Sequence, residues 1–256
     1  MISIVIPYYN RRQLLFNTLK SIQYFGGDTQ IECIIVDDGS SDGQKVYDFV
    51  RIFPELNVSI LSVRECNSPW RTPAIAYNTG FNEAKGDIIL LNSCDCIHMG
   101  NIIEFVRNNM IKKTYLSFAT LAGTESLAGY FDSVVWDETV MGRIKELYGF
   151  RNGWWRSHKT NRILIPFCAS IMHEDLATLN GYDERFVDGI GYDDCDFIDR
   201  VANLGLNMVL VDEPFCIHQY HELIQYANDH NKDFLAKLVA EQPNRIKAPE
   251  NKIYVR

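Results

Sequence analysis

In the first 121 residues, short apolar runs alternate with segments of helical periodicity, and most of the runs end in a polar cluster. The runs are 2–6, 31–36, 58–63, 87–91 and 115–121. Between them apolar residues recur at helical spacing: Leu14, Leu15, Leu19 and Ile22, then Val46, Phe49, Val50 and Phe53, then the stretch 73–84, then Ile102, Ile103, Val106 and Met110. Strands separated by helices of about 10–15 residues cannot pair as hairpins. They specify an α/β domain with a mostly parallel central sheet and helices on both faces. Pro7 is expected to end the first strand, and Asn10 with Gln13 three residues on reads as a reciprocal cap for the first helix.

Ligands of such sheets bind beyond the carboxyl ends of the strands. Polar groups gather there: Tyr8-Tyr9-Asn10 after the first run, Asp37-Asp38-Gly39-Ser40 after the second, and Asn92 to Asp95 after the fourth. The second half is less regular. Residues 122–162 are rich in glycine and aromatics and take no assigned element. A strand over 163–169, a helix over 173–179, a helix ending near Leu204 and a strand over 208–211 follow, and the chain after about residue 242 reads as a loose tail.

Composition narrows the function classes. With 46% hydrophobic and 23% charged residues the 256-residue chain is neither disordered nor fibrous. Its 25 basic and 33 acidic residues give a net charge of −8, a poor balance for general nucleic-acid binding, which needs clustered positive charge. No apolar run approaches the ~18 residues of a membrane span, and no basic-then-apolar leader is read at the start. Seven cysteines, an odd number in a chain this long, fit free thiols in a reducing compartment, so a cytoplasmic location is expected.

Several groups have chemistry to offer, each beside a plainer reading. Asp38, at a strand exit, suits a base or ribose hydroxyl, or simply a turn. Asp95 could hold a divalent cation that also grips substrate phosphates, since one carboxylate plus phosphates is a common magnesium or manganese site. Cys94 and Cys96 have zinc-like spacing, but no second cysteine pair at finger spacing follows. The acidic run 189–196 could supply a general base, or could be helix N-terminal acids favoured by the helix dipole. His218 could complete a cation site with Asp95, the His218–His221 pair could bind zinc if helical, or each could be a structural histidine. Trp154 and Trp155, in a basic stretch, could stack on a sugar or lie in the core.

Together these pieces resemble the family 2 glycosyltransferases, enzymes of GT-A fold. The opening Ile2 to Arg11 is similar to that family's first strand and following helix, and Ile34 to Asp42 to its nucleotide-binding signature. Asn78-Thr79-Gly80 through Ala84 to Asp87 resembles the helix and strand that lead to its D-x-D motif, and Gly181 to Glu184 with Asp193-Asp194 resembles its acceptor-side acidic motif. The likeness covers about residues 1–221. It implies that Pro7, Tyr9 and Asp38 line the base and ribose of a nucleotide sugar, with Arg71 reaching the nucleotide or its diphosphate. Asp95 is then the last D-x-D acid and a metal ligand, His218 a further ligand, and Asp194 the catalytic base. The sequence departs from the pattern at three places: Ser93 and Cys94 replace the first two D-x-D residues, Tyr77 stands where arginine is usual, and Asp193 where glutamate is usual. Ser93 could still bond a ribose hydroxyl.

The resemblance therefore implies a single GT-A, Rossmann-like domain over 1–241. Its nucleotide-sugar half would be 1–121, its acceptor half 122–241 (with Trp154, Trp155 and Asp193 toward the acceptor), and its tail 242–256. It implies a metal-dependent inverting transfer from a nucleotide-diphosphate sugar, with UDP favoured and Mn2+ or Mg2+ as cofactor. The acceptor would be a polysaccharide, lipid-linked sugar or protein, with at most peripheral membrane contact. The alternative is a catalytically silent nucleotide-sugar or glycan-binding protein. A nucleotidyltransferase is disfavoured, because no glycine-rich basic phosphate loop follows the first strand.

Overall fold

The computed structural model describes residues 1–26, 30–63, 72–140, 142–144, 154–157, 162–222 and 229–249; for 154–156 and Ser126 it describes the backbone alone. Among the described residues nine strands form one sheet: β1 Ile2–Tyr8, β2 Ile31–Asp37, β3 Val58–Ser62, β4 Ile88–Asn92, β5 Cys96–Met99, β6 Thr114–Ala122, β7 Trp154–Arg156, β8 Cys168–Met172 and β9 Asn207–His218. Their order is β3-β2-β1-β4-β8-β6-β9-β5, with β7 paired to β6. The first four are mutually parallel, as is β6 to β9. Antiparallel pairs join β4 to β8, β8 to β6, β9 to β5 and β6 to β7.

The period-2 alternation of each strand divides the core in two. Ile4 and Ile6 of β1, Cys33 and Ile35 of β2 and Leu90 of β4 face α1 (Arg12–Gly26), which offers Leu15, Leu19 and Ile22. Val5, Ile34, Val36, Ile89 and Leu91 face the other way, against α3 (Ala74–Glu83) with Ala76, Tyr77 and Phe81. Full burial of side chains of this size stabilises by ~1.5–3 kcal/mol each. A third cluster unites Ile97, Met99, Leu121 and Ile217 with Leu127 and Phe131 of α5 (Glu125–Ser133). That helix lies in the stretch where sequence assigned nothing; Thr124 caps it by accepting the Leu127 N–H.

Four local expectations fail, each for a physical reason. β1 continues through Pro7, because β4 pairs only with Ile2 to Val5 and leaves that flank of the strand without a ladder to break. Asn10 does not cap α1: it sits at φ 50° and its side-chain oxygen accepts the Ser41 N–H, tying the β1 exit to the β2 exit, while Gln13 turns to Asn17. The helix expected around Val46 to Phe53 is the single turn α2 (Phe49–Ile52), cut off by Pro54. The strand expected over 163–169 enters the ladder only at Cys168; before it, the carbonyls of Leu164 and Ile165 accept from Tyr115 and Ser117 side chains.

Further helices are α4 (Ile102–Asn109), α6 (His173–Leu179), α7 (Asp193–Asn203) and α8 (His230–Glu241). The segment 243–249, read as loose, is pinned: Arg245 pairs with Asp183 and Asp196, and the Ala248 N–H donates to the Leu179 carbonyl. Among the described residues no helix is long and apolar enough to cross a membrane.

Candidate active site

The loop between β4 and β5 carries Asp95, whose side chain is fully buried. Three bonds fix that loop: Thr18 Oγ1 to the Cys94 carbonyl at 2.9 Å, and Asn92 Nδ2 to the carbonyls of Ser93 and Cys96 at 2.9 and 3.3 Å. Four groups converge on the Asp95 carboxylate. Ser93 Oγ donates to Oδ1 at 2.6 Å, Arg11 donates to Oδ2, His218 Nε2 lies 3.5 Å from Oδ1, and His221 Nε2 lies 3.4 Å from Oδ2. Burial alone would raise the Asp95 pKa, but His218, His221, Arg11 and Ser93 outweigh it and hold the carboxyl well below the usual range. Burial lowers the His218 pKa despite Asp95, which favours a neutral ring with a lone pair to offer.

Strand register and long-range bonds explain the convergence of the two histidines. β9 delivers His218 opposite Cys96 in the β5–β9 register. The Gln219 N–H then donates to the Asp95 carbonyl at 2.8 Å. The buried Gln219 amide bonds the Leu14 carbonyl, Thr18 and Asn17, anchoring the chain to α1. The segment cannot be helical with those commitments, and it returns His221 to the second oxygen of Asp95. Ligand atoms of Asp95, His218 and His221 lie within 4.8 Å of one another, one oxygen and two nitrogens from a carboxylate and two imidazoles. Two imidazoles and a carboxylate fit a transition-metal dication, with the carboxylate the donor that manganese shares.

At the β2 exit, the Asp37 carboxylate accepts the Ser40 N–H at 2.8 Å and Lys45 at 3.0 Å, so it builds the turn. Asp38 lies buried beside it, its N–H on the Tyr8 carbonyl. Pro7 is half-buried and Tyr9 is exposed at the β1 exit. Ser93 orients Asp95 through its hydroxyl. Arg71 lies outside the described residues, as do the side chains of Trp154 and Trp155, whose backbone pairs with β6 in the Thr120–Leu121 region.

The acidic run divides by function. Asp196 pairs with Arg200 and Arg245, and Asp183 with Arg185 and Arg245, so both are structural. Asp193 is buried in the first turn of α7, and burial together with the neighbouring Asp194 charge pushes its carboxyl well above the usual range. Asp194 accepts the Tyr182 hydroxyl at 3.2 Å. Tyr182 belongs to a row of stacked rings: Tyr77 lies 5.0 Å away at 7°, Phe197 4.6 Å away at 9°, and Phe81 stacks on Tyr77. Asn78 grips the backbone of Tyr182 at both ends, at 2.7 and 3.0 Å. Gly181 is required there, at φ 63°, because a Cβ would come within 2.2 Å of Asn78 Oδ1. Burial, and after it the Asp194 charge, pushes the Tyr77 phenol well above its ordinary value.

Two of the converging residues carry no such expectation from sequence: Arg11 has no assigned role, and His221 reads as half of a helical zinc pair or as a structural histidine. Nothing local marks Arg11, since its partner is 84 residues away.

A family model described as Glycosyl transferase family 2 matches residues 3–174. The chain belongs to glycosyl transferase family 2. A glycosyltransferase of Bacillus subtilis strain 168, the uncharacterised YfnE, is 30% identical over 105 residues, which are 40% of this chain and 24% of that protein. The chain thus spans about a quarter of that curated relative. Among solved structures, TarS of S. aureus superposes with a TM-score of 0.66 at 14% identity over 97% of this chain and 40% of its own. The mannosyltransferase PcManGT of Pyrobaculum calidifontis, solved with GDP-Man and Mn2+, gives 0.62 at 18% identity over 97% and 65%. TarS 1–349 with UDP-GlcNAc gives 0.65 at 13% identity over 97% and 68%. These likenesses establish a GT-A fold for the family 2 chain, in agreement with its sheet order.

Proposed function

We propose that this family 2 chain is an inverting glycosyltransferase. It moves a sugar from a nucleotide-diphosphate donor, UDP-linked by preference, to a hydroxyl of a glycan, lipid-linked or protein acceptor in the cytoplasm. The observation that carries the reading is the convergence of Asp95, His218 and His221 at the carboxyl edge of the sheet, within 4.8 Å. Solved GT-A neighbours bound to GDP-Man and Mn2+, UDP and UDP-GlcNAc support it.

Asp95, His218 and His221 would hold Mn2+ or Mg2+, which supplies charge neutralisation for the departing diphosphate. Pro7, Tyr9 and Asp38 flank the base and ribose at the exits of β1 and β2. Arg71 reaches the nucleotide. Ser93 keeps the Asp95 carboxylate turned toward the site. Asp194, held by Tyr182, takes the proton of the acceptor hydroxyl as its oxygen attacks the anomeric carbon. One base and direct displacement invert the anomeric centre. Trp154, Trp155 and Asp193 belong to the acceptor side.

A second reading, a silent nucleotide-sugar binder, is favoured by one feature: Arg11 already occupies Asp95. Nucleotide release from a panel of UDP-, GDP- and dTDP-sugars, with and without manganese, separates the two. Turnover that Asp194→Asn abolishes supports the transferase; donor binding without turnover on any acceptor supports the binder.

A further inference from the structure

Beneath the Asp95 loop, His98, Cys168 and Cys216 bring their ligand atoms within 4.8 Å of one another, and all three are buried. They come from three strands, β5, β8 and β9. His98 is the register partner of Cys216, and Cys168 that of Asn92. We infer that these residues form a second, wholly interior metal site built for a single zinc ion.

The spacing suits the ion. Cys168 Sγ lies 3.9 Å from His98 Nε2. Around tetrahedral zinc, bonds of about 2.3 Å to sulfur and 2.0 Å to nitrogen put those two atoms about 3.5 Å apart, so a small inward shift closes the set. A fourth donor stands ready: Asn92 Oδ1 is 3.0 Å from the same ring nitrogen. The Asn92 amide nitrogen is held by the carbonyls of Ser93 and Cys96, which keeps Oδ1 turned inward.

Chemistry selects the metal. Two sulfurs and an imidazole disfavour magnesium and manganese, which prefer oxygen, and favour zinc. Two thiolates cancel the charge of a dication, and a neutral assembly is what a buried site tolerates best. Binding releases two thiol protons to solvent, and His98 coordinates through Nε2 with its proton on Nδ1.

The inner site differs from the outer in donors and in place. On β9, Cys216 of the inner set lies two residues before His218 of the outer one, and His98 on β5 lies three residues after Asp95. Zinc there would brace both arms that present Asp95 and His218. With every ligand buried, the ion must enter during folding and leave slowly.

The test is metal content. Protein expressed in zinc-supplemented medium is dialysed against a chelator and assayed by elemental analysis and native mass spectrometry. About one zinc per chain should remain in the wild type and in Asp95→Asn, and be lost in Cys168→Ser and Cys216→Ser. Should the cysteine variants not fold, refolding the wild type with cobalt(II) should give a thiolate-to-cobalt charge-transfer band. Zinc-free folded wild type without that band overturns the inference, as does zinc lost in Asp95→Asn alone or a Cys168–Cys216 disulfide in the folded chain.

Discussion

Arg11 and Asp95, 84 residues apart, form an ion pair between a guanidinium that is 35% exposed and a carboxylate that is not exposed at all. The pair joins the start of α1 to the β4–β5 loop. It also sets up a competition, since a divalent cation on the same carboxylate must contend with the guanidinium.

Arg11→Met should reveal that competition. Without metal it leaves Asp95 ionised with only Ser93 and two histidines for support, and should cost about 1–2 kcal/mol, less than a fully buried pair because Arg11 is partly in solvent. Added Mn2+ should restore melting temperature more in this variant than in the wild type, and manganese affinity should rise several-fold. Thermal melts with and without Mn2+ and manganese titrations by electron paramagnetic resonance check both.

Asp194→Asn should lower kcat by about 10²–10⁴-fold, the range of a lost general base, with donor affinity nearly unchanged. Steady-state transfer assays beside donor titrations read the two separately.

Tyr182→Phe keeps the stacked ring and removes only the hydroxyl that Asp194 accepts. The expected result is about a tenfold loss of kcat, equivalent to ~1.4 kcal/mol, with a melting temperature close to the wild type's. Equal losses in folding and rate would assign Tyr182 a packing role instead.

Asp183 should register as a pH-dependent brace. Burial works against its charge, but Arg185 and Arg245 prevail and lower its pKa. A carboxyl lowered in the folded state stabilises above its unfolded pKa of about 3.9, and that contribution disappears as pH falls through the folded value. Asp183→Asn should therefore cost about 3 kcal/mol at neutral pH, and the gap to the wild type should narrow below about pH 4. Denaturant unfolding across that pH range measures it.

Much of the first half was legible because its information is local. Periodicity marks β1, α1, β2 and α3, and the strand-exit rule places Asp38 and Asp95 on one edge of the sheet. The Asn10–Gln13 cap misled because the same side chain can bind a distant N–H, here that of Ser41. The residues alone offer Asp95 with His218 as one of several roles for that histidine, and the family resemblance selects it. Arg11 and His221 were out of reach: Arg11 meets a partner 84 residues away, and the placement of His221 follows from Gln219 being fastened to α1, a contact spanning 205 residues. The interior cysteines were hidden similarly. Cys94-x-Cys96 draws attention to a local motif, whereas strand register assembles His98, Cys168 and Cys216.

Whether Asp95, His218 and His221 hold the cation under the diphosphate is decided by calorimetric titration of UDP into the wild type, with and without Mn2+ and alongside Asp95→Asn and a His218→Ala/His221→Ala double variant. A cation held by these three side chains requires tight binding only with Mn2+ in the wild type and loss of that dependence in both variants. Manganese-dependent binding that persists undiminished in the variants would contradict it.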